Sequence, residues 1–216
     1  MRVDHIVIQT LQRDALVADV AARSGLAPQT GFRQGGAVVS RGVRFANGPF
    51  FDVFSPDEGR TVRAPLVGLE GSIGDVETAA RRKGWQTVIH SREAAPADIR
   101  PPWSTLSFRR GQGLISSLFI IAYEDDPDCW LSPDYSGALY ARGARGEQTE
   151  KRATLTRVVL QSSDLSAARA QLDALSRDPI ALLDLAPGDD ATSGFGWAEI
   201  SATAPGANPF EWRQSR

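Results

Sequence analysis

Three segments of the chain carry the same succession of patterns: a short β-branched run, a polar break, then apolar residues at helical spacing. In VDHIVIQTLQRDALVADVAARSGL, from Val3, the helical face runs through Leu16, Val20 and Ala21 and stops at Gly25. In PLVGLEGSIGDVETAARRKGW, from Pro65, it runs through Val76, Ala79 and Ala80, with Asp75 as the expected N-cap and Gly84 as the stop. In LTRVVLQSSDLSAARAQLDAL, from Leu155, it runs through Leu165, Ala168 and Leu172, with Asp164 in the capping position.

Strands are expected after each helix. AVVSRGVRFANG reads as one long strand from Val38 to Phe45 that ends at the Asn47-Gly48 turn signal, and PFFDVFSPD as its hairpin partner, closed by Pro56. After the second helix come QTVIH, WSTLSFRRG and LISSLFIIAYEDD, the last so apolar that it predicts a central strand buried on both faces; GQG at Gly111–Gly113 reads as a hairpin turn. In the third segment Ile180–Leu185 and FGWAEISATAP are weaker strand candidates, before PFEW. These patterns divide the chain into a body of residues 1–126 holding two units (3–58 and 65–124), a connector at 127–152 and a diverged third unit at 153–216 packed on the first two. The connector, EDDPDCWLSPDYSGALYARGARGEQTEKR with its flanks, is polar, rich in Pro and Gly, and without period. Three roles are open to the third unit: extending the sheet, covering a sheet edge, or making a homodimer contact.

Composition narrows the picture. A 216-residue chain with 42% hydrophobic residues has ample core material, and a formal net charge of −2 gives no field that would gather nucleic acid or anionic lipid. The lone Cys129 has no disulfide partner, no run of membrane-spanning length occurs, and the amino terminus lacks the pattern of a signal peptide, so a cytoplasmic protein is expected. No G-x-S-x-G, Walker loop, G-x-G-x-x-G after a strand, or H-E-x-x-H is present.

A β-α-β-β-β unit used twice, with DHIVI at its start, RGVRFANG-PFFDVFSPD as paired strands and LFIIAY closing the second unit, resembles the vicinal oxygen chelate superfamily. That superfamily includes glyoxalase, extradiol dioxygenases and antibiotic-resistance proteins, and the resemblance covers residues 3–124. It implies an α+β fold in which repeated βαβββ units form a curved, partly open mixed β-barrel with helices outside. It also implies a concave site for a small-molecule ligand and a divalent metal there (Zn, Mn, Fe or Mg). His5 matches the first-strand ligand of the family, and Asp52 the place of its last-strand carboxylate. By strand alternation His5, Val7 and Gln9 share one face and Asp4, Ile6 and Ile8 the other, while Asp52 lies with Phe50 and Phe54. The second unit departs from the family pattern: Gly68 and Ala122 fall where ligands are expected, with Glu70 and Glu124 two residues away on the same faces.

The chain has only two histidines, His5 and His90, so a His-rich site is excluded, and a two-His, one-carboxylate site would need both. Each residue also has a plainer reading. His5 fits a hydrogen-bonded imidazole lining an apolar cavity, Asp52 a carboxylate paired with Arg44 on the adjacent strand, and His90 a strand-end surface residue. Trp103, after Pro101-Pro102, belongs to a loop placed to cross a barrel mouth. The candidate metal ligands are therefore His5 and Asp52, and the candidate ligand-binding residues Phe50, Phe54, Arg44, His90, Trp103 and Glu124. Two functions follow: a metal-dependent lyase, isomerase or dioxygenase, or a resistance-type protein that sequesters a small molecule with a degraded metal site.

Overall fold

The computed structural model describes residues 1–34, 36–56, 65–96, 100–125, 138–140, 153–189, 194–201 and 209–213. Most of the expected connector, Cys129 included, lies outside these residues. The first unit comprises β1 (Arg2–Gln9), α1 (Arg13–Ser24), the short β2 (Gln29–Thr30), β3 (Arg33–Gln34) and β4 (Ala37–Val38), then β5 (Ser40–Arg44) and β6 (Phe50–Phe54). The second has β7 (Leu66–Glu70), α2 (Ile73–Lys83), β8 (Thr87–His90), β9 (Trp103–Phe108) and β10 (Leu118–Tyr123). The third has β11 (Thr154–Ser162), α3 (Leu165–Leu175), β12 (Leu183–Pro187), β13 (Gly194–Ser201) and β14 (Phe210–Arg213).

The first two units share one eight-stranded mixed sheet, in the order β2-β5-β6-β1-β7-β10-β9-β8, with no closure between β2 and β8. In each unit the first strand pairs parallel with the last, β1 with β6 and β7 with β10, and the two units join where β1 and β7 run antiparallel. The third unit starts with the same pattern but pairs differently. Its β11 lies parallel to β12, the strand that follows the helix, and antiparallel to β13, in a separate sheet of order β12-β11-β13-β14.

Period-2 alternation divides the residues of the large sheet between two cores. Ile6, Ile8, Phe51, Val53, Val67, Leu69, Leu106, Leu118 and Ile120 point to one side, where the helix faces Val17, Val20, Val76 and Ala80 cover them together with Leu155, Val158, Leu160, Ala198 and Trp212 of the third unit. The third unit is thus a second layer over the helix-bearing side of the sheet. The Asn47-Gly48 turn makes that docking specific: the Asn47 side chain donates to Leu155 O at 2.7 Å and accepts from Leu155 N at 3.1 Å. On the opposite side a smaller aromatic cluster gathers Val7, Phe32, Phe50, Phe54, Phe119, Ile121, Leu139 and Tyr140.

Local differences from the sequence reading have local causes. The strand expected from Val38 to Phe45 is interrupted at Val39, whose N–H goes to Phe32 O, so that only Ser40–Arg44 joins the hairpin. Ser72, not Asp75, caps α2, accepting from Asp75 N at 3.2 Å. Asp164 does cap α3, accepting from Ala167 N at 2.8 Å, and Gly25 and Gly84 end their helices at φ 70°. The strand expected from Leu114 begins only at Leu118. Residues 113–117 turn as a 3-10 helix, with the Ser116 hydroxyl donating to Arg109 O and accepting from Gln112 N.

Candidate ligand site

The concave side of the large sheet holds a cavity of about 310 Å³, at the small end of the range of ligand pockets. Its lining follows from strand register. One row of paired residues crosses the sheet as Phe50–His5–Gly68–Phe119–Ser107, and the neighbouring positions Val7, Asp52, Phe54, Ile121, Trp103 and Thr105 share its face. His90, opposite Thr105, lines the far rim. Of the residues expected to act here, His5, Asp52, Phe54, His90 and Trp103 line the cavity, and Phe50 stacks on His5 with ring centroids 4.6 Å apart and planes 6° from parallel.

The Asp-His pair in an apolar strand is explained by a break in register. Val3 faces Leu69 and His5 faces Gly68, so two residues of β1 advance against one of β7. Such a bulge leaves one residue unpaired and re-aims its side chain. Asp4, expected on the opposite face from His5, instead places its carboxylate 2.6 Å from His5 Nδ1 and accepts a second hydrogen bond from the Tyr123 hydroxyl at 2.7 Å. Both residues are buried, Asp4 at 8% and His5 at 4% exposure, so the pair needs these partners. Phe119 meets the imidazole edge-on at 5.0 Å.

The second carboxylate has a different partner from the one expected. Tyr140, on a short 3-10 turn formed by residues 138–140, donates its hydroxyl to Asp52, while Arg44 donates to Leu139 O at 3.0 Å and Gly48 O at 2.8 Å and lies 4.8 Å from the Phe50 ring centroid. Tyr140 also stacks on Trp103 at 5.1 Å, which closes an aromatic wall from Phe50 through Tyr140 to Trp103. Burial first, and then the charge of Asp52, push the Tyr140 phenol well above its ordinary value of 10.0. In the unfolded chain the phenol loses its proton near that ordinary value. The stabilisation is therefore complete below about pH 10 and declines as pH rises further, because only the unfolded state ionises there. Tyr140→Phe is expected to cost about 1–2 kcal/mol at neutral pH and to flatten the alkaline decline by close to one proton, both read from urea melts between pH 8 and 11.

No family model and no curated protein matches the sequence. Solved structures do. LapB, a 2,3-dioxygenase from Pseudomonas sp. KL28, aligns over 99% of this chain and 93% of its own at 10% identity and a TM-score of 0.49. A catechol 2,3-dioxygenase aligns over 82% of this chain at 10% identity and a TM-score of 0.48, and this chain spans 57% of its length. A methylmalonyl-CoA epimerase from Streptomyces coelicolor aligns over 57% of this chain and 97% of its own at 14% identity and a TM-score of 0.38. These likenesses concern the course of the backbone alone. The deciding feature is the chain's own strand order: two βαβββ units, each with its first and last strands parallel, joined through their first strands around a concave face. The chain has the vicinal oxygen chelate fold.

A divalent metal is what this fold suggests for the concave face, and the described residues do not fit one. Among them no three His, Cys, Asp or Glu side chains group to hold an ion. His5 and Asp52 supply two donors, fewer than the three protein ligands of a catalytic zinc site. His90, on β8 four strands from β1, lines the far rim of the cavity and does not group with them. The second unit cannot help at Gly68: a Cβ there would lie 2.7 Å from Phe119 Cζ and 3.1 Å from the His5 ring, so the position is already filled. Register also corrects the expected role of Ala122, which pairs with Ser104 on the far face of β10, while Phe119, Ile121 and Tyr123 face inward. Glu70 holds Arg2 at 2.7 Å, and Glu124, tied by its N–H to Pro102 O, is not among the lining residues.

Sequence reasoning missed Asp4, Tyr123 and Tyr140. Tyr123 was legible in principle from the alternation of LFIIAY, and the apolar GALY island in a polar segment was the one signal for Tyr140. Nothing local announced the bulge at Asp4. Among the described residues no helix is long and apolar enough to cross a membrane.

Proposed function

We propose that the protein binds a small, flat organic molecule in the concave cavity without a resident metal ion. The observation that carries this reading is the lining. Aromatic faces of Trp103, Phe119, Phe54 and Tyr140 surround a few polar groups, and Gly68, where the family resemblance expects a ligand, is crowded by the Phe119 and His5 rings. Such a site holds a planar guest by stacking and orients it by one or two hydrogen bonds. In a ligand-observed NMR screen, planar two-ring fragments are expected to bind. Trp103→Ala is expected to weaken them about 3- to 10-fold, the value of one lost aromatic contact. Binding that Trp103→Ala leaves untouched would place the guests elsewhere and end the proposal.

The shared cavity of His5 and Asp52 favours a second reading, a metal-dependent lyase, isomerase or dioxygenase. Metal analysis of protein from unsupplemented cells separates the two. The binding reading expects no stoichiometric ion, even after addition of Mn²⁺, Fe²⁺ or Zn²⁺, whereas one ion per chain that disappears in His5→Ala would establish the metal-dependent reading instead.

A further inference from the structure

We infer that His5 Nε2 is a fixed hydrogen-bond acceptor in the cavity, and that the natural guest is a planar molecule presenting one N–H or O–H to it. This rests on the cavity being a ligand site and adds which chemistry the ligand carries. The argument begins at Asp4. Its Oδ2 takes two hydrogen bonds, one from the Tyr123 hydroxyl at 2.7 Å and one from His5 Nδ1 at 2.6 Å. A carboxylate oxygen only accepts, so Nδ1 carries a proton, and of the two neutral tautomers of the ring the one that fits Asp4 has its lone pair on Nε2.

The ring cannot readily turn to exchange the two nitrogens. Phe50 is stacked on it at 4.6 Å, Phe119 meets it edge-on at 5.0 Å, and the Asp4 carboxylate is itself aimed by the bulge opposite Leu69 and Gly68. Among the described residues Nε2 has no hydrogen-bond partner, although His5 lines the cavity and is only 4% exposed. Nε2 faces the cavity rather than packed protein, so a guest that fills the cavity without a donor takes that acceptor out of water unpaired, which is unfavourable, whereas a guest of equal shape that supplies the donor avoids the loss. Asp4 is then a positioning residue, acting on the ligand through the tautomer it imposes.

Because the chain has two histidines, ¹⁵N-detected NMR of the full-length protein reads the tautomer directly, with His90→Gln assigning the signals. Wild-type His5 is expected as the Nδ1–H form, and Asp4→Ala is expected to release it toward the Nε2–H form. The probes are indole and N-methylindole, equal in plane and differing in the one N–H. Indole is expected to bind wild type about tenfold more tightly, and the preference is expected to vanish in Asp4→Ala and in His5→Phe, which keeps a ring against Phe50 while removing the acceptor. Equal binding of both probes to wild type, or an Nε2–H tautomer there, would overturn the inference and leave the cavity reading standing. Failure of both probes to bind at millimolar concentration would overturn the cavity reading as well.

Discussion

Phe51→Ala is expected to lower the stability of the folded chain by about 3–5 kcal/mol, the usual loss for a buried phenylalanine truncated in a core that does not collapse around the void. Phe51 sits on β6 between Phe50, which stacks on His5, and the cavity-lining Asp52, but points the other way, into the layer between the large sheet and the third unit. There its ring meets Phe45 edge-on at 5.2 Å and Trp212 at 5.1 Å, and it is 1% exposed. Removing it takes apolar contact from both layers at once. Urea melts followed by tryptophan fluorescence and by far-UV circular dichroism give the loss. They also show whether the two signals still coincide, as they do when layers unfold together. A loss below about 1 kcal/mol would mean that the third unit is not held through this contact.

The second large effect is expected at Gly68. Its Cβ would fall 2.7 Å from Phe119 Cζ and 3.1 Å from two atoms of the His5 ring, closer than packed atoms come. Neither neighbour yields cheaply, since Phe119 is 7% exposed inside the aromatic cluster and His5 is held by Asp4 and Phe50. Gly68→Ala therefore overpacks the floor of the cavity, with an expected cost of about 1–3 kcal/mol, and tilts the imidazole away from Asp4. Two readouts follow: a lower urea midpoint at unchanged slope, and loss of the hydrogen-bonded Nδ1–H signal of His5. A variant as stable as wild type with that signal intact would show that Phe119 and His5 have room to move. The same crowding bears on any attempt to rebuild a metal site: a carboxylate placed at residue 68 displaces the residues it was meant to assist.

Much of the fold was legible because its causes are local. The glycine stops at Gly25 and Gly84, the cap at Asp164 and the Asn47-Gly48 turn each depend on a few adjacent residues, and each is found where the pattern puts it. Period-2 alternation likewise sent His5, Asp52, Phe50 and Phe54 to one face and Phe51 and Val53 to the other. The third unit shares only the opening pattern of the repeat, and its pairing, which the sequence left open, joins its first strand to the strand after the helix.

Chain order alone therefore marked the helices and most strand faces, since alternation and helix stops are properties of neighbours in sequence. Which groups would actually touch was decided by folding. A one-residue slip between β1 and β7 carried Asp4 to the imidazole, a turn nearly ninety residues away delivered Tyr140 to Asp52, and the approach of Phe119 filled the space above Gly68. Contacts of this kind depend on register between distant strands, where a shift of one residue reverses every side chain, and no short stretch of sequence records that register.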